Sequence, residues 1–489
     1  MSLSTSLNNA LSGLNAASRG AQVVSSNISN ALTEGYGRRV LETSAAATGG
    51  QSAGVRVDGV RRDTNLALIS DRRLSQAETG SAEARADALS RIEAAFGTPD
   101  DADSLAARIA ALESSLVSAA SRPDSNTRLA DVLSAAQGVA LTFQAATDDI
   151  QSVRMDAETA IANDVETLNS SLARIAELNS EIRSHAFSNV DTSALYDQRQ
   201  ILVDEIAEIV PVRQIAREHG TIALYTETGA ALVDGRASEF GFEQTGLIVS
   251  DMTIESGALS GLTLNGEPIP TSGSFAPISG GRLATLFEQR DVTATGAQAD
   301  LDALARDVVE RFADPAVDPT LLADGSGRYT GLFTDVGAAL DPAAEAGLAG
   351  RISVNAAVDP DAGGDLWRLR SGLAAAGPGD VGDATLLSAM TGALSAGRPA
   401  ASGPFAGQVF SAANLASETV SRISVQAQRA IESESFATAR TNALKEAELQ
   451  GGVDTDAELQ DLMLYEQAYA ANAKVMQTVD QMIQILMEL

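Results

Sequence analysis

Apolar residues near the start of the chain fall at steps of four and three: Leu3, Leu7, Ala10, Leu14, Ala17, Ala21, Val24, Ile28 and Ala31. That spacing is the heptad seam of a helix built to pack against another helix. It stops at Glu34-Gly35-Tyr36-Gly37, where two glycines permit positive φ and end the helix. At the far end Leu462, Tyr465, Tyr469, Asn472, Met476, Val479, Ile483 and Leu486 repeat the spacing. A second stripe, Ala468, Asn472, Val475, Val479, Met482, Leu486 and Leu489, runs beside the first, making the apolar face wider than a two-stranded coil requires. This helix begins after Gly451-Gly452, with Asp454, Asp456 and Glu458 placed near the positive end of its dipole.

Between the ends, Leu133, Ala136, Ala140, Phe143, Thr147, Ile150, Arg154, Ala157, Ile161, Val165, Leu168, Leu172, Ile175, Asn179 and Ile182 hold the same alternation. They predict one helix over 129–187, roughly 85 to 90 Å long at 1.5 Å per residue. Further helices are predicted near 64–96, 102–120, 193–209, 281–313 and 408–450, and an antiparallel bundle is the economical arrangement. From Pro211 the period shortens, with apolar runs at Ile222-Ala223-Leu224-Tyr225 and Leu247-Ile248-Val249 that predict strands. Residues 316–404 are rich in Gly, Pro, Ala and Asp, with strand candidates at 351–354 and 366–369. The expected fold class is mainly α with β inserts: a long-helix bundle, with terminal coiled-coil helices and a helical core, carrying a small β domain and a mixed outer domain. The expected domains are 1–60 with 452–489 (terminal coiled coil), 61–210 with 280–315 and 405–451 (helical core), 211–279 (β-rich) and 316–404 (mixed α/β insert).

An apolar stripe at helical spacing is most often ordinary intramolecular core. For these two helices the alternative is pairing with each other and with other subunits, because each joins the body through glycines. The 489 residues carry 34 Lys and Arg against 65 Asp and Glu, a formal net charge of -31. An acidic surplus spread along the chain argues against a nucleic acid partner, which needs basic side chains to displace counterions. With no cysteine, disulfides, thiolate metal sites and thiol nucleophiles are excluded. No apolar run reaches the length of a membrane span, and no signal-peptide core precedes Arg19, so membrane insertion is not expected and any export is expected by a route without a cleaved signal peptide.

Motifs for chemistry are sparse. His185 and His219 lack a second histidine at ligand spacing, and surface or capping roles are the simpler reading. No Gly-Lys pair, His-Glu-x-x-His or Gly-x-Ser-x-Gly occurs. Asp359, Asp361 and Asp365 resemble a calcium loop, but Arg370 stands where the closing Glu belongs. Asp100, Asp101 and Asp103 suggest an acid-base pair less readily than a helix cap, and Trp367 suits a core or interface place. No catalytic, cofactor or metal site is expected.

The stretch Leu14-Asn15-Ala16-Ala17 followed by 25–39, Ser-Ser-Asn-Ile-Ser-Asn-Ala-Leu-Thr-Glu-Gly-Tyr-Gly-Arg-Arg, resembles the N-terminal signature of the flagellar rod, hook and hook-associated protein family. The family usually reads Asn-Thr-Pro-Gly-Tyr where this chain has Leu32-Thr33-Glu34-Gly35-Tyr36. Residues 462–475, around Tyr465-Glu466-Gln467-Ala468-Tyr469, resemble the family's final helix. The hook-associated branch is suggested by Leu195-Tyr196-Asp197-Gln198-Arg199-Gln200, by Gly280-Gly281-Arg282-Leu283 with Arg290-Asp291, by Leu301-Asp302-Ala303-Leu304-Ala305, and by Ile352-Ser353-Val354-Asn355. The resemblance implies a non-enzymatic extracellular adaptor between hook and filament that polymerises axially through its terminal helices. Implied partners are further copies of itself, hook protein, hook-associated protein 3, and an export chaperone on the C-terminal helix. The seam residues Leu3, Leu7, Ala10, Leu14, Ala17, Ala21, Val24 and Ile28 with Leu462, Tyr465, Tyr469, Asn472, Met476, Val479, Ile483 and Leu486, sixteen in all, would then form the oligomerisation interface. A rod, hook or filament subunit is the alternative, and a surface enzyme or adhesin with activity in the inserts a more distant one.

Overall fold

Each long amphipathic stretch forms a helix, and the starts of the four longest are fixed by a side chain that accepts from an otherwise unpaired backbone N–H. The computed structural model describes residues 3–48, 51–98, 101–186, 191–273 and 275–488. Helix α1 (Leu3–Ser29) leads into an antiparallel hairpin of β1 (Arg38–Thr48) and β2 (Gln51–Asp63). Four helices follow: α2 (Leu66–Phe96), α3 (Leu105–Ser121), α4 (Asn126–His185) and α5 (Ser193–Ile209). The caps of α2, α3 and α4 are Asn65, Ser104 and Ser125, accepting from Leu68, Ala107 and Arg128. With 60 residues α4 is about 90 Å long, and its buried stripe from Leu129 to Ile182 serves two cores in succession.

Beyond α5 the chain forms a four-stranded antiparallel sheet of β3 (Val212–Ala216), β4 (Ile222–Thr226), β5 (Ala231–Asp234) and β6 (Arg236–Ala237). A three-stranded sheet follows, of β7 (Phe240–Gly241), β8 (Leu262–Leu264) and β9 (Glu267–Ile269). Helices α6 (Gly281–Glu288) and α7 (Ala294–Phe312) are joined without interruption by a π-helical turn at Gln289–Thr293. The outer insert contains β10 (Phe333–Asp335), α8 (Leu348–Arg351), β11 (Ile352–Val354), α9 (Arg368–Ser371), α10 (Thr385–Ser395), β12 (Arg398–Pro399) and β13 (Val409–Phe410). Two long helices close the chain, α11 (Ala412–Gln450) and α12 (Thr455–Glu488). Among the described residues no helix is long and apolar enough to cross a membrane.

The N-terminal half of the α4 stripe packs with α2, α3, α7, α10, α11 and the outer insert; the C-terminal half packs with α5, α6 and the β3–β6 sheet. At the π turn the stripe is interrupted by charge. Arg290 and Glu158 form an ion pair at 2.5 Å with both side chains fully buried, and Arg290 is also held by Asp291 and by the carbonyl of Ser260. Arg154, equally buried, donates to the carbonyls of Arg290, Val249 and Met252. These donors explain one departure from the sequence reading. Leu247-Ile248-Val249 is loop, not strand, because its backbone is satisfied by α4: Arg154 donates to Val249, and the Ile248 N–H donates to Met155.

Other expectations need correction. Residues 366–369 do not form a strand but lead into α9, the Arg368 and Leu369 N–H groups turning back on carbonyls three residues earlier. Arg351 ends α8, so only Ile352–Val354 extend. The hairpin at 38–63 was missed within the region expected to be helical coil. Its signal was the alternation Val55-Arg56-Val57-Asp58, obscured by bulges at Glu42/Thr43 and Ala45/Ala47.

Removing Glu158 would leave the buried Arg290 guanidinium with only the partly exposed Asp291 as its counter-charge. Glu158→Ala is therefore expected to lower stability by about 3 kcal/mol, whereas Glu166→Ala on the exposed face of α4 should cost under about 0.5 kcal/mol. Chemical denaturation followed by circular dichroism measures both; equal effects would contradict this account of the core.

Candidate functional site

The two chain ends meet as an antiparallel helix pair whose register follows from facing residues. Gly13 lies against Asn472, Gly20 against Tyr465 and Asn27 against Glu458, so each step of seven up α1 is a step of seven down α12. The glycines are the holes. A methyl group on Gly13 would sit 2.7 Å from the Asn472 amide, and one on Gly20 would collide with the Tyr465 ring. Within α1, Ala10, Ala17 and Val24 are buried, while Leu3, Leu7, Leu14, Ala21 and Ile28 are half-buried. From α12, Val479 is buried and Leu462, Tyr465, Asn472, Met476 and Ile483 are half-buried toward α1, whereas Tyr469 and Leu486 are exposed.

Much of α12 remains uncovered. Leu464, Ala468, Val475, Met482 and Leu486 are exposed, the four large ones between 46 and 62 %. At 100° per residue they lie roughly a quarter-turn round α12 from the face that meets α1. Asn472 and Val479, expected in that second stripe, belong to the α1 contact instead, and Leu489 lies outside the described residues. Beside it a groove is lined by Ala17, Ala21 and Ser25 of α1 and by Tyr465 and Tyr469 of α12.

A polar joint closes the coil where the N-terminal signature lies. Asn27, 1 % exposed, donates to Glu458 and to the Arg39 carbonyl, and accepts from the Arg39 N–H and the Tyr36 hydroxyl. Its amide is thus used on both sides, as a buried amide requires. Glu458, equally buried, accepts from Arg38 at 2.7 Å, and this bond raises the Arg38 pKa. Glu458 is therefore a joint as well as a first-turn acid of α12; Asp454 caps the helix, accepting from Asp456 and Ala457. Gly35 takes φ +75°, the left-handed turn that glycine permits, and the Arg39 guanidinium lies 4.9 Å over the Tyr36 ring.

The joint reaches the body through α5. Asp197 accepts from the Gly37 N–H at 3.1 Å and from Arg39 at 3.0 Å, and pairs with Arg62 at 2.8 Å; Gln200 accepts from Arg62 at 2.8 Å. Two turns along, Asp204 pairs with Arg72 and Arg73 of α2, and Arg72 also pairs with Glu448 of α11. Arg199 donates to Asn179 and the Gly220 carbonyl, and burial pulls its pKa down to about 10. The charged residues of Leu195-Tyr196-Asp197-Gln198-Arg199-Gln200 are thus joints between elements, which spacing alone did not reveal. The other resemblance motifs act alike. Arg282 pairs with Asp164 of α4, Asp302 accepts from the Gly347 and Ala349 N–H groups, and Asn355 donates to the Gly331 carbonyl.

The candidate chemical motifs are engaged structurally. Among the described residues no group of His, Asp and Glu could hold a metal ion. Asp359 caps a 3-10 turn by accepting from Asp361, and the buried Arg370 donates to the Pro123 carbonyl. Asp101 accepts from the Asp103 N–H and Asp103 pairs with Arg108, while Ser104 rather than an aspartate caps α3; Asp100 lies outside the described residues. His185 sits in the last turn of α4, and His219 takes φ +57° in the turn before β4. Trp367 is half-buried, with the Arg368 guanidinium 4.7 Å over its ring.

Because Gly20 is the hole for Tyr465, Gly20→Val should separate α1 from α12, and Glu458→Ala should weaken the pair by about 2 kcal/mol through unpaired Arg38 and Asn27. Amide hydrogen exchange of α12 reads both; unchanged protection in either variant would contradict the register described.

Comparison with known proteins follows the same division of the chain. A family model described as the helical domain of flagellar hook-associated protein FlgK matches residues 89–315. Models of the flagellar basal body rod FlgEFG C-terminal region and of flagella basal body rod protein match 450–489 and 7–36. Flagellar hook-associated protein 1 of Escherichia coli K12 is 27% identical over 240 residues, covering 48% of this chain and 44% of that protein. The Salmonella typhimurium protein of the same name matches at 27% over 48% of this chain and 43% of its own length, so the chain spans under half of these two relatives. The Bacillus subtilis protein of that name is 23% identical over 98% of this chain and 96% of its own. A solved flagellar hook junction protein from Burkholderia pseudomallei aligns with TM-score 0.44 and 21% identity, covering 54% of this chain and 46% of that one. The helical core is thus matched by the hook-associated model and both ends by rod-protein models, and along nearly its whole length the chain is similar to a flagellar hook-associated protein 1.

Proposed function

We propose that this chain is a structural adaptor of the flagellum, joining hook to filament by axial polymerisation of its terminal helices. The observation that carries the reading is the exposed stripe Leu464, Val475, Met482 and Leu486 on α12, a helix whose neighbouring face is already occupied by α1. Exposed apolar surface of this kind marks an interaction site, and burying each such side chain is worth about 1.5–3 kcal/mol. In a many-copy assembly, contacts that do not close on themselves give an open helix or tube.

In this reading the sixteen seam residues, Leu3 to Ile28 on α1 and Leu462 to Leu486 on α12, act in two ways. Those between α1 and α12 form the coil within one copy, and those left exposed, Tyr469 and Leu486 with their neighbours on the second stripe, meet the next copy. The protein acts outside the cell at the hook-filament junction, has no catalytic role, and touches hook protein on one side and hook-associated protein 3 on the other. An export chaperone covers the α12 stripe before assembly, since apolar surface on a secreted chain otherwise aggregates. The net charge of -31 supports the absence of nucleic acid from the partners. A second reading, a rod, hook or filament subunit, draws on the rod-protein models that match both ends.

Deleting residues 453–489 should abolish incorporation into flagella while leaving the helical body folded, because Gly451-Gly452 separates α12 from α11. Antibody localisation on isolated flagella checks incorporation, and unchanged incorporation would sink the proposal. A strain lacking the chain should build hooks and shed unpolymerised flagellin; arrest before the hook would favour the rod reading.

A further inference from the structure

Helices α1 and α12 with the β1–β2 hairpin form a terminal unit whose main contacts are internal: α1 packs on α12 and on both strands, and the Val55 N–H donates to Ser12. The body is held together separately, by the two α4 cores and by the antiparallel α2–α11 pair. Two covalent links join unit to body, the short 64–65 segment and the Gly451-Gly452 break. Across the gap, the polar contacts converge on one face of α5, where Asp197 takes the Gly37 N–H, Arg39 and Arg62, and Gln200 takes Arg62. Gly35 comes close enough to Ile201 that a methyl group there would lie 2.5 Å from its side chain.

We propose that Asp197 is the positioning residue that sets the angle at which the terminal coil is held on the helical body. The carboxylate touches three groups from two segments of the hairpin base, Gly37 and Arg39 before β1 diverges and Arg62 at the end of β2, so it fixes an orientation rather than a single point. Arg39 and Arg62 are themselves largely buried, and burial lowers the Arg62 pKa, so the little solvent left to each guanidinium replaces the lost carboxylate poorly. Asp204, two turns along the same helix, makes a matching pair of arginine contacts, but both arginines belong to α2. The two acids divide the labour: Asp204 binds α5 into the body, and Asp197 binds the terminal unit to α5. The fold around Asp197 does not depend on it, because the α1–α12 coil and the α4 cores are built without it.

The absence of cysteine allows a direct test on the full chain. Cysteines introduced as Lys474→Cys on α12 and Glu166→Cys on α4, both exposed, carry spin labels for a distance distribution between unit and body. The parent should give one narrow peak, and Asp197→Ala should lose that peak and give a broad distribution, with far-ultraviolet circular dichroism unchanged. Asp197→Asn, which keeps the Gly37 contact but not the charge, should broaden it less. Asp204→Ala should lower the melting temperature of the body without broadening the distribution. A narrow peak retained in Asp197→Ala, or equal broadening in Asp204→Ala, would overturn the assignment. These readouts concern the isolated chain and stand or fall independently of the assembly reading.

Discussion

The pairing of α1 with α12 is shallow because it is close. Glycines at positions 13 and 20 let Asn472 and Tyr465 sink against the α1 backbone, so two helix axes approach and one narrow seam satisfies both. A narrow seam covers only one side of α12. The adjoining flank keeps large apolar side chains in solvent, and the free energy of covering them is left for another surface to supply. Had the contact been wide, as in a globular helical hairpin, the ends of this chain would have been inert.

That seam would be of little use without a fixed orientation, and orientation here is supplied by buried polar groups. Asn27, Glu458, Arg38 and Asp197 are few, but each uses several hydrogen-bonding positions at once, and a carboxylate gripping two guanidiniums tolerates less rotation than apolar packing does. The same device recurs in the body at Asp204, Asp302 and Glu158, where long helices must meet at set angles. Charge in this protein is thus spent on geometry. The apolar stripe of α4 runs through both cores, and the buried ion pairs along it select one arrangement of the elements around it.

Much of this was legible in the residues. The 3.6-residue period of a helix is written into side-chain polarity, so α5 falls at 193–209 as expected and α4 at 126–185 against an expected 129–187. The seam residues Ala10, Ala17, Val24 and Val479 lie on the buried faces of their helices. The hairpin at 38–63 was not legible, because bulges shift its alternation out of phase and three consecutive alanines carry no polarity signal. Nor was the loop at 247–249, an apolar run that reads as a strand until Arg154 and Met155 take its hydrogen bonds.

Sequence by itself determined which helices exist, which face of each is apolar, and that both ends carry seams, since these follow from local periodicity and from nearest-neighbour backbone chemistry. Tertiary structure alone decided that Gly20 receives Tyr465, that Glu458 answers Asn27 across 431 positions, and that Asp197 grips the hairpin. An apolar residue looks the same in sequence whether its partner is its own chain or a neighbour. Only the register of the paired helices separates the stripe already buried from the one still exposed.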